Sequence, residues 1–250
     1  MKSDRKRIRS HLNAYAKKHF FEILKVLLTI FILTTIIQLT FDFLIMGLES
    51  SFFNFISILL SYWLSVVGVG VFTLTLASVI RNHETIRLNK VIEVSKFYWT
   101  KIQLLAILMT LILSGVNAIS GMIHPIIQSA SMAFFTLAMS FAFPLLIDNP
   151  TFKPYELIEE SFKMTRGHRV DMFLLQMKPL LYVFAPLMIT FFLYPDVGYS
   201  TSLSALIGNS VYWIAVAISM ILLLFVVGRI FVVYGYVYAY LTSDVQHPLE

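Results

Sequence analysis

Between Glu156 and Asp171 the chain crowds Glu156, Glu159, Glu160, Arg166, His168, Arg169 and Asp171. Neighbouring carboxylates whose environments separate their pKa values can divide acid and base roles, and an imidazole can carry the proton between them. The same residues also read as a solvated charge run that stabilises a helix. Pro154 suits a first helical turn, Glu156 complements the positive end, Arg166 the negative end, and Gly167 suits the position just past it. Glu159 and Lys163 form an i,i+4 pair in the favoured order, worth about 0.3 kcal/mol. Other chemistry is harder to assemble. His83-Glu84 would begin a helical zinc site only with a second His at residue 87, where Arg87 stands. The absence of Cys removes thiolate nucleophiles, Cys-ligated zinc and iron–sulfur clusters. No Gly-x-Ser-x-Gly elbow or Walker-type phosphate loop occurs in the sequence. The expectation is a non-enzyme with no catalytic residue, cofactor or metal.

The elements around this cluster are set by where the cations fall. All 19 Lys and Arg residues lie outside residues 26–80, 102–152 and 179–228, three strongly apolar stretches of 50 to 55 residues. A helix needs about 20 residues to cross the hydrocarbon core, so each stretch fits two crossings and a short hairpin. Retained loops are enriched in Lys and Arg. The pattern predicts an all-α bundle of six transmembrane helices, with both termini and both long loops cytoplasmic, as one membrane domain over residues 1–250. Charged residues make up 13% of the chain, against about 25% in soluble domains, and the mean hydropathy is +0.79. The net charge of +5 then belongs to loops that face an anionic leaflet rather than to nucleic-acid binding.

The predicted spans run over 26–46, 53–80, 102–123, 126–147, 172–194 and 211–232. Residues 1–25 form a basic cytoplasmic segment in which Ile8, Leu12 and Tyr15 share a helical face. It reads either as a helix in the headgroup layer or as a disordered basic tail. Arg81–Lys101 is expected to be a cytoplasmic loop. Residues 148–169 form a second, holding an amphipathic helix from Pro154 to Arg166 whose Tyr155, Ile158 and Phe162 share a face able to dock on the membrane, on neighbouring helix ends or on a partner. Pro179 and Pro186 should kink the fifth span. Tyr234, Tyr236, Tyr238 and Tyr240 read as an inner interfacial belt.

Within the spans the ionisable groups sit near the ends. Asp42 lies close to an outer edge, while Lys178 and Arg229 can snorkel inward and are candidates for contact with a lipid phosphate. No carboxylate or His falls at a predicted midplane, which counts against ion-driven transport. His124 is placed on the side opposite His83 and His168, so the three share no metal. Small residues form stripes, Ser57, Ser61, Ser65 and Gly68 in the second span and Ser129, Ala133, Thr136 and Ser140 in the fourth, with Ser114, Ala118 and Gly121 in the third. Such stripes let helices pack closely, and a polar substrate path is the alternative.

The stretch from Leu145 to Met177 resembles the signature of a bacterial membrane-protein family catalogued as domain of unknown function 975. The resemblance rests on Asp148, Asn149, Pro150, Glu160, Ser161, Met164, Gly167, Arg169, Phe173 and Leu175, with a basic start and a Tyr-rich end. It departs at Gln176–Tyr182, where the family usually continues with Asp, Ser and an aromatic run. The resemblance implies a six-span plasma-membrane protein of bacteria and carries over no catalytic residue. The pair Glu159-Glu160 is also similar to the Glu-Glu-x-x-x-Arg of intramembrane proteases, but five residues separate Glu160 from Arg166. The expected function is a membrane-embedded accessory or scaffold in envelope maintenance, export or self-protection. The alternative is a transporter or flippase for an apolar or amphipathic substrate. Expected partners are anionic inner-leaflet lipids and another membrane or cytoplasmic protein, without nucleic acid.

Overall fold

A computed structural model describes residues 5–45, 51–176, 181, 214, 217–218, 226 and 232–242, with residues 5–9, 51 and 54 described by backbone alone. Seven helices run in order: α1 Arg5–Lys18, α2 Phe20–Ile45, α3 Ser51–Arg81, α4 Leu88–Ile123, α5 Pro125–Ala138, α6 Leu145–Asp148 and α7 Pro154–Thr165. Further helical residues at 169–176 and 232–242 follow, and no strand occurs among the described residues. The all-α class expected from the sequence is therefore present.

Helices α2, α3 and α4 are each long and apolar enough to cross a membrane. At 1.5 Å per residue, the 26 residues of α2 reach about 39 Å and the 36 of α4 about 54 Å, against a hydrocarbon core of about 30 Å. Their outward faces are apolar. Phe43 is 75% exposed, Leu39 62% and Leu111 58%, positions that water would penalise and lipid tails would not. Neighbours in sequence pack as neighbours in space, α2 on α3, α3 on α4 and α4 on α5.

Two expectations are corrected. The connection after α3 is short, because helix resumes at Leu88 rather than after Lys101. Leu88, Val91, Val94, Tyr98, Ile102 and Leu105 recur at three- and four-residue steps, and Val91, Val94, Ile102 and Leu105 are buried. The cations of that segment therefore ride on a helix, with Lys90 paired to Glu93 at 3.3 Å and to Glu84 at 3.4 Å. The fourth predicted span, 126–147, is also not one helix. It divides into the 14-residue α5, tight turns over 139–144, and α6. At about 21 Å, α5 is too short to cross alone. The break has a tertiary cause: the Phe141 amide donates to the Ser161 hydroxyl, and Pro144 brings no N–H to the ladder.

The core lies at one end of this bundle. Leu74, Leu76 and Val79 of α3 meet Ile102 and Leu105 of α4, Leu146 of α6, Leu157 of α7 and Val237. Leu12 and Tyr15 of α1 join the same cluster, so the basic N-terminal segment is a helix packed by its apolar face. At Gly70 an added Cβ would sit 2.5 Å from the Phe143 ring, a close approach that only glycine permits. Most of the fifth and sixth predicted spans, the Pro179 and Pro186 kink, the outer loop 195–209, Lys178 and Arg229 lie outside the described residues.

Candidate functional site

One set of polar groups gathers at the end where the core lies, around α7. Its first turn is set by Glu156, whose carboxylate accepts from the Lys153 amide at 2.7 Å and from the Tyr155 hydroxyl at 3.1 Å. The amide of Lys153, more than any other contact, holds the Glu156 carboxyl below the usual carboxylate range; desolvation, next in size, opposes it, and Tyr155 and the Lys153 charge add to the lowering. Gly167 closes the helix at φ +87°, a left-handed conformation in which a side chain would be strained although nothing crowds the site.

The inward face carries Leu157, Ile158, Ser161 and Thr165. Ser161 is fully buried; its hydroxyl donates to the Ala138 carbonyl at 2.7 Å and accepts from the Phe141 amide at 3.1 Å. It thus satisfies both backbone groups freed where α5 stops. Thr165 donates to the Ser161 carbonyl at 2.8 Å. Arg169 closes the opposite edge, donating from Nε to the Thr165 hydroxyl at 3.1 Å and from Nη2 to the Phe162 carbonyl at 2.9 Å. Its guanidinium lies 4.6 Å above the Phe134 ring and 5.2 Å from that of Phe162, within cation–π range.

A second set of contacts ties three distant parts of the chain. Arg81, last residue of α3, pairs with Asp148, last residue of α6, and Tyr238 donates its hydroxyl to the same carboxylate. Asp148 turns its main chain outward while its side chain is 24% exposed, so the carboxylate itself is largely covered. Burial raises the Tyr238 pKa, and the nearby Arg81 charge opposes the rise. Phe141 meets the Tyr238 ring edge-on at 5.6 Å between centroids. Asp148, Ser161 and Arg169, all part of the stretch singled out in the sequence, therefore hold α3, α5, α6, α7 and residues 232–242 together, while Gly167 ends α7.

The residues considered for docking do not share an exposed face. Tyr155 is 54% exposed, but Ile158 is buried and Phe162 packs edge-on against Phe135 at 5.9 Å. The solvent face is instead Tyr155, Glu159, Lys163 and Arg166. Lys163 bonds Glu159 at 2.8 Å and lies 3.6 Å from Glu160, all on a well-exposed surface where such pairs contribute little. The residues considered for acid–base work are thus split, with the Glu pair outside, Asp171 buried and His168 between. Among the described residues no group of three or more His, Asp or Glu could hold a metal ion.

Within the long helices the serine stripe is divided between two uses. Ser65 bonds back to the Ser61 carbonyl at 2.8 Å, and Gly68 lets Ile30 approach to 3.0 Å of where a Cβ would be. Ser57 instead donates to Asp42, which also accepts from Gln38 at 2.9 Å. Gln128 donates to Asn117 at 2.7 Å across the α4–α5 turn. The roles of Ser161 and Tyr238 were missed by the sequence reading. The signal for the second was Asp148 ending one apolar run at the level where Arg81 ends another. In comparison with known proteins, no family model, no curated protein and no solved structure matches this chain.

Proposed function

We propose that the chain is a non-enzymatic, six-span protein of a bacterial cytoplasmic membrane, a member of the family it resembles, with both termini and the α7 layer inside. In this reading it serves as an accessory or scaffold. The observation that carries the proposal is the division of labour in α7. One face is locked into the bundle by Ser161 and Thr165, while Tyr155, Glu159, Lys163 and Arg166 stay outside on a firmly held helix. A rigid helix presenting an aromatic and alternating charges loses little entropy when a partner docks. Photo-crosslinkers at Tyr155 and Glu159 should capture a discrete protein neighbour in the native membrane, and capture of lipid alone would refute the scaffold role.

A transporter or flippase for an amphipathic substrate is the second reading. It is favoured by a cavity of about 280 Å³ between α3 and α4, lined by Ile56, Leu60, Trp63, Ile107 and Thr110 among others. Its wall is apolar and suits an acyl chain, while the Trp63 Nε1 and Thr110 Oγ1 atoms behind it are buried without hydrogen-bond partners. Lipid bound at Lys178 and Arg229 belongs to the same reading. Flux of a labelled lipid in proteoliposomes, lost on Thr110→Val, would favour it over the scaffold.

A further inference from the structure

A cavity of about 450 Å³ lies between α1 and the corner joining α3 to α4, walled by His11, Tyr15, Lys18 and His19 on one side and His83, Glu84 and Thr85 on the other. Its charge balance is unusual. Among the described residues the one carboxylate on the wall, Glu84, is engaged by Lys90 at 3.4 Å, Lys90 also holds Glu93 at 3.3 Å, and Glu22 acts on His19 from beside it. Among the described residues no carboxylate pairs with Lys18, which leaves that ammonium and three imidazoles facing one space. Tyr15 adds a buried hydroxyl with no hydrogen-bond partner. Lys18 and His83 are exposed, so the buried cost falls on the Tyr15 hydroxyl, a donor left unsatisfied at the cavity wall.

The backbone at His83 makes the same point. The α3 end is a Schellman motif, with the His83 amide bonded to the Ile80 carbonyl at 3.3 Å and the Glu84 amide to the Val79 carbonyl at 2.9 Å. The left-handed residue of that motif is His83 itself, at φ +52°, where glycine would be free of strain. The chain thus carries an imidazole, one of the side chains that does enter this region, where glycine would fit without strain. Strain held at a cavity wall is characteristic of a binding site.

We propose that this cavity binds the phosphate group of an anionic ester, with Lys18, His11, His19 and His83 as donors and the Tyr15 hydroxyl as a further one. Two sources share that chemistry, an anionic lipid headgroup entering from the bilayer edge and a soluble phosphate. The basic face of α1 beside an apolar one suits the first source, and the width of the cavity admits either.

The test uses the full chain in detergent, stripped of lipid, with binding read by native mass spectrometry and calorimetry. The probes are short-chain phosphatidylglycerol, the matching diacylglycerol without phosphate, and inorganic phosphate with glycerol phosphate. Wild-type protein should hold the phosphatidylglycerol and not the diacylglycerol. Binding by inorganic phosphate as well would identify the site as one for soluble esters, and its absence would identify a headgroup site. Lys18→Gln should weaken the binding about tenfold, the value of one charge-assisted hydrogen bond. His83→Gly separates binding from folding: it should also weaken the phosphate complex while leaving thermal stability equal or higher, since it relieves the strained residue. Unchanged affinity in both variants, or no preference for phosphate in the wild type, would overturn the proposal.

Discussion

Replacing Ser161 by Ala removes one hydroxyl and nothing else of consequence in volume, yet it should be among the most damaging small changes in this chain. The hydroxyl has no exposure, donates to Ala138 at 2.7 Å and accepts from Phe141 at 3.1 Å. After the change the Phe141 amide has no acceptor nearby, a desolvation cost of about 1–3 kcal/mol. The Ala138 carbonyl retains only Thr165, a longer contact of 3.4 Å, so part of a second bond is lost, about 0.5 kcal/mol. The sum is about 1.5–3.5 kcal/mol, or roughly 10- to 400-fold in the folding equilibrium. Titrating the protein from mild micelles into dodecyl sulfate, with Trp fluorescence as the readout, measures that difference. Ser129→Ala is the matched control, because its exposed hydroxyl bonds only the Pro125 carbonyl of its own helix at 3.0 Å, and a change there should stay within about 0.5 kcal/mol. If the two alanine variants unfold at the same detergent fraction, Ser161 does not hold the α5 break closed and the account of that break is wrong.

Gly70→Ala should cost about 1–3 kcal/mol, since its Cβ would lie 2.5 Å from the buried Phe143 ring, and Phe143→Leu in the same chain should recover much of the loss in the same titration. Asp148→Asn withdraws the charge shared by Arg81 and Tyr238; limited proteolysis should then cut within 148–153 faster than in the wild type, and an unchanged rate would show the contacts to be incidental. For Glu156, a carboxyl pKa lowered by folding means that its capping contribution is present above the unfolded value of about 4.3 and is lost as pH falls through the lower folded one. Hydrogen exchange of the Lys153 amide should accelerate over that acidic window relative to amides in the middle of α7, and Glu156→Gln should abolish the pH dependence.

The long apolar helices were legible in the sequence because lipid-facing and buried positions alike demand apolar residues, so composition alone marks α2, α3 and the second half of α4. The start and stop of α7 were legible from Pro154, Glu156 and Gly167, whose conformational roles are local. What escaped depended on contacts distant in sequence. Ser161 reads as an ordinary serine in a helix until Phe141, 20 residues earlier, is seen to donate to it. The Tyr-rich end reads as an interfacial belt, yet Tyr234, Tyr236 and Tyr238 are buried, and the Tyr238 hydroxyl reaches Asp148 across 90 residues of chain. Cations misled at 88–101: they suggested a loop, but Lys90, Lys96 and Lys101 ride on α4, Lys96 exposed and the other two half-buried. The face of Tyr155, Ile158 and Phe162 left its neighbour open, and Ile158 and Phe162 pack inside the bundle while Tyr155 stays exposed. Periodicity places residues on one side of a helix, but it does not say where a neighbour such as Phe135 cuts across that side.

The central claim is that the latched end of the bundle, with α7 and the core, lies inside the cell and the α4–α5 turn lies outside. Because the chain contains no Cys, single cysteines can be placed in an otherwise unreactive background. His124→Cys and Asp196→Cys should react in intact cells with a maleimide that cannot cross the membrane, whereas Glu159→Cys should react only after permeabilisation. Labelling of residue 159 from outside, with 124 protected, would reverse the threading and contradict the account.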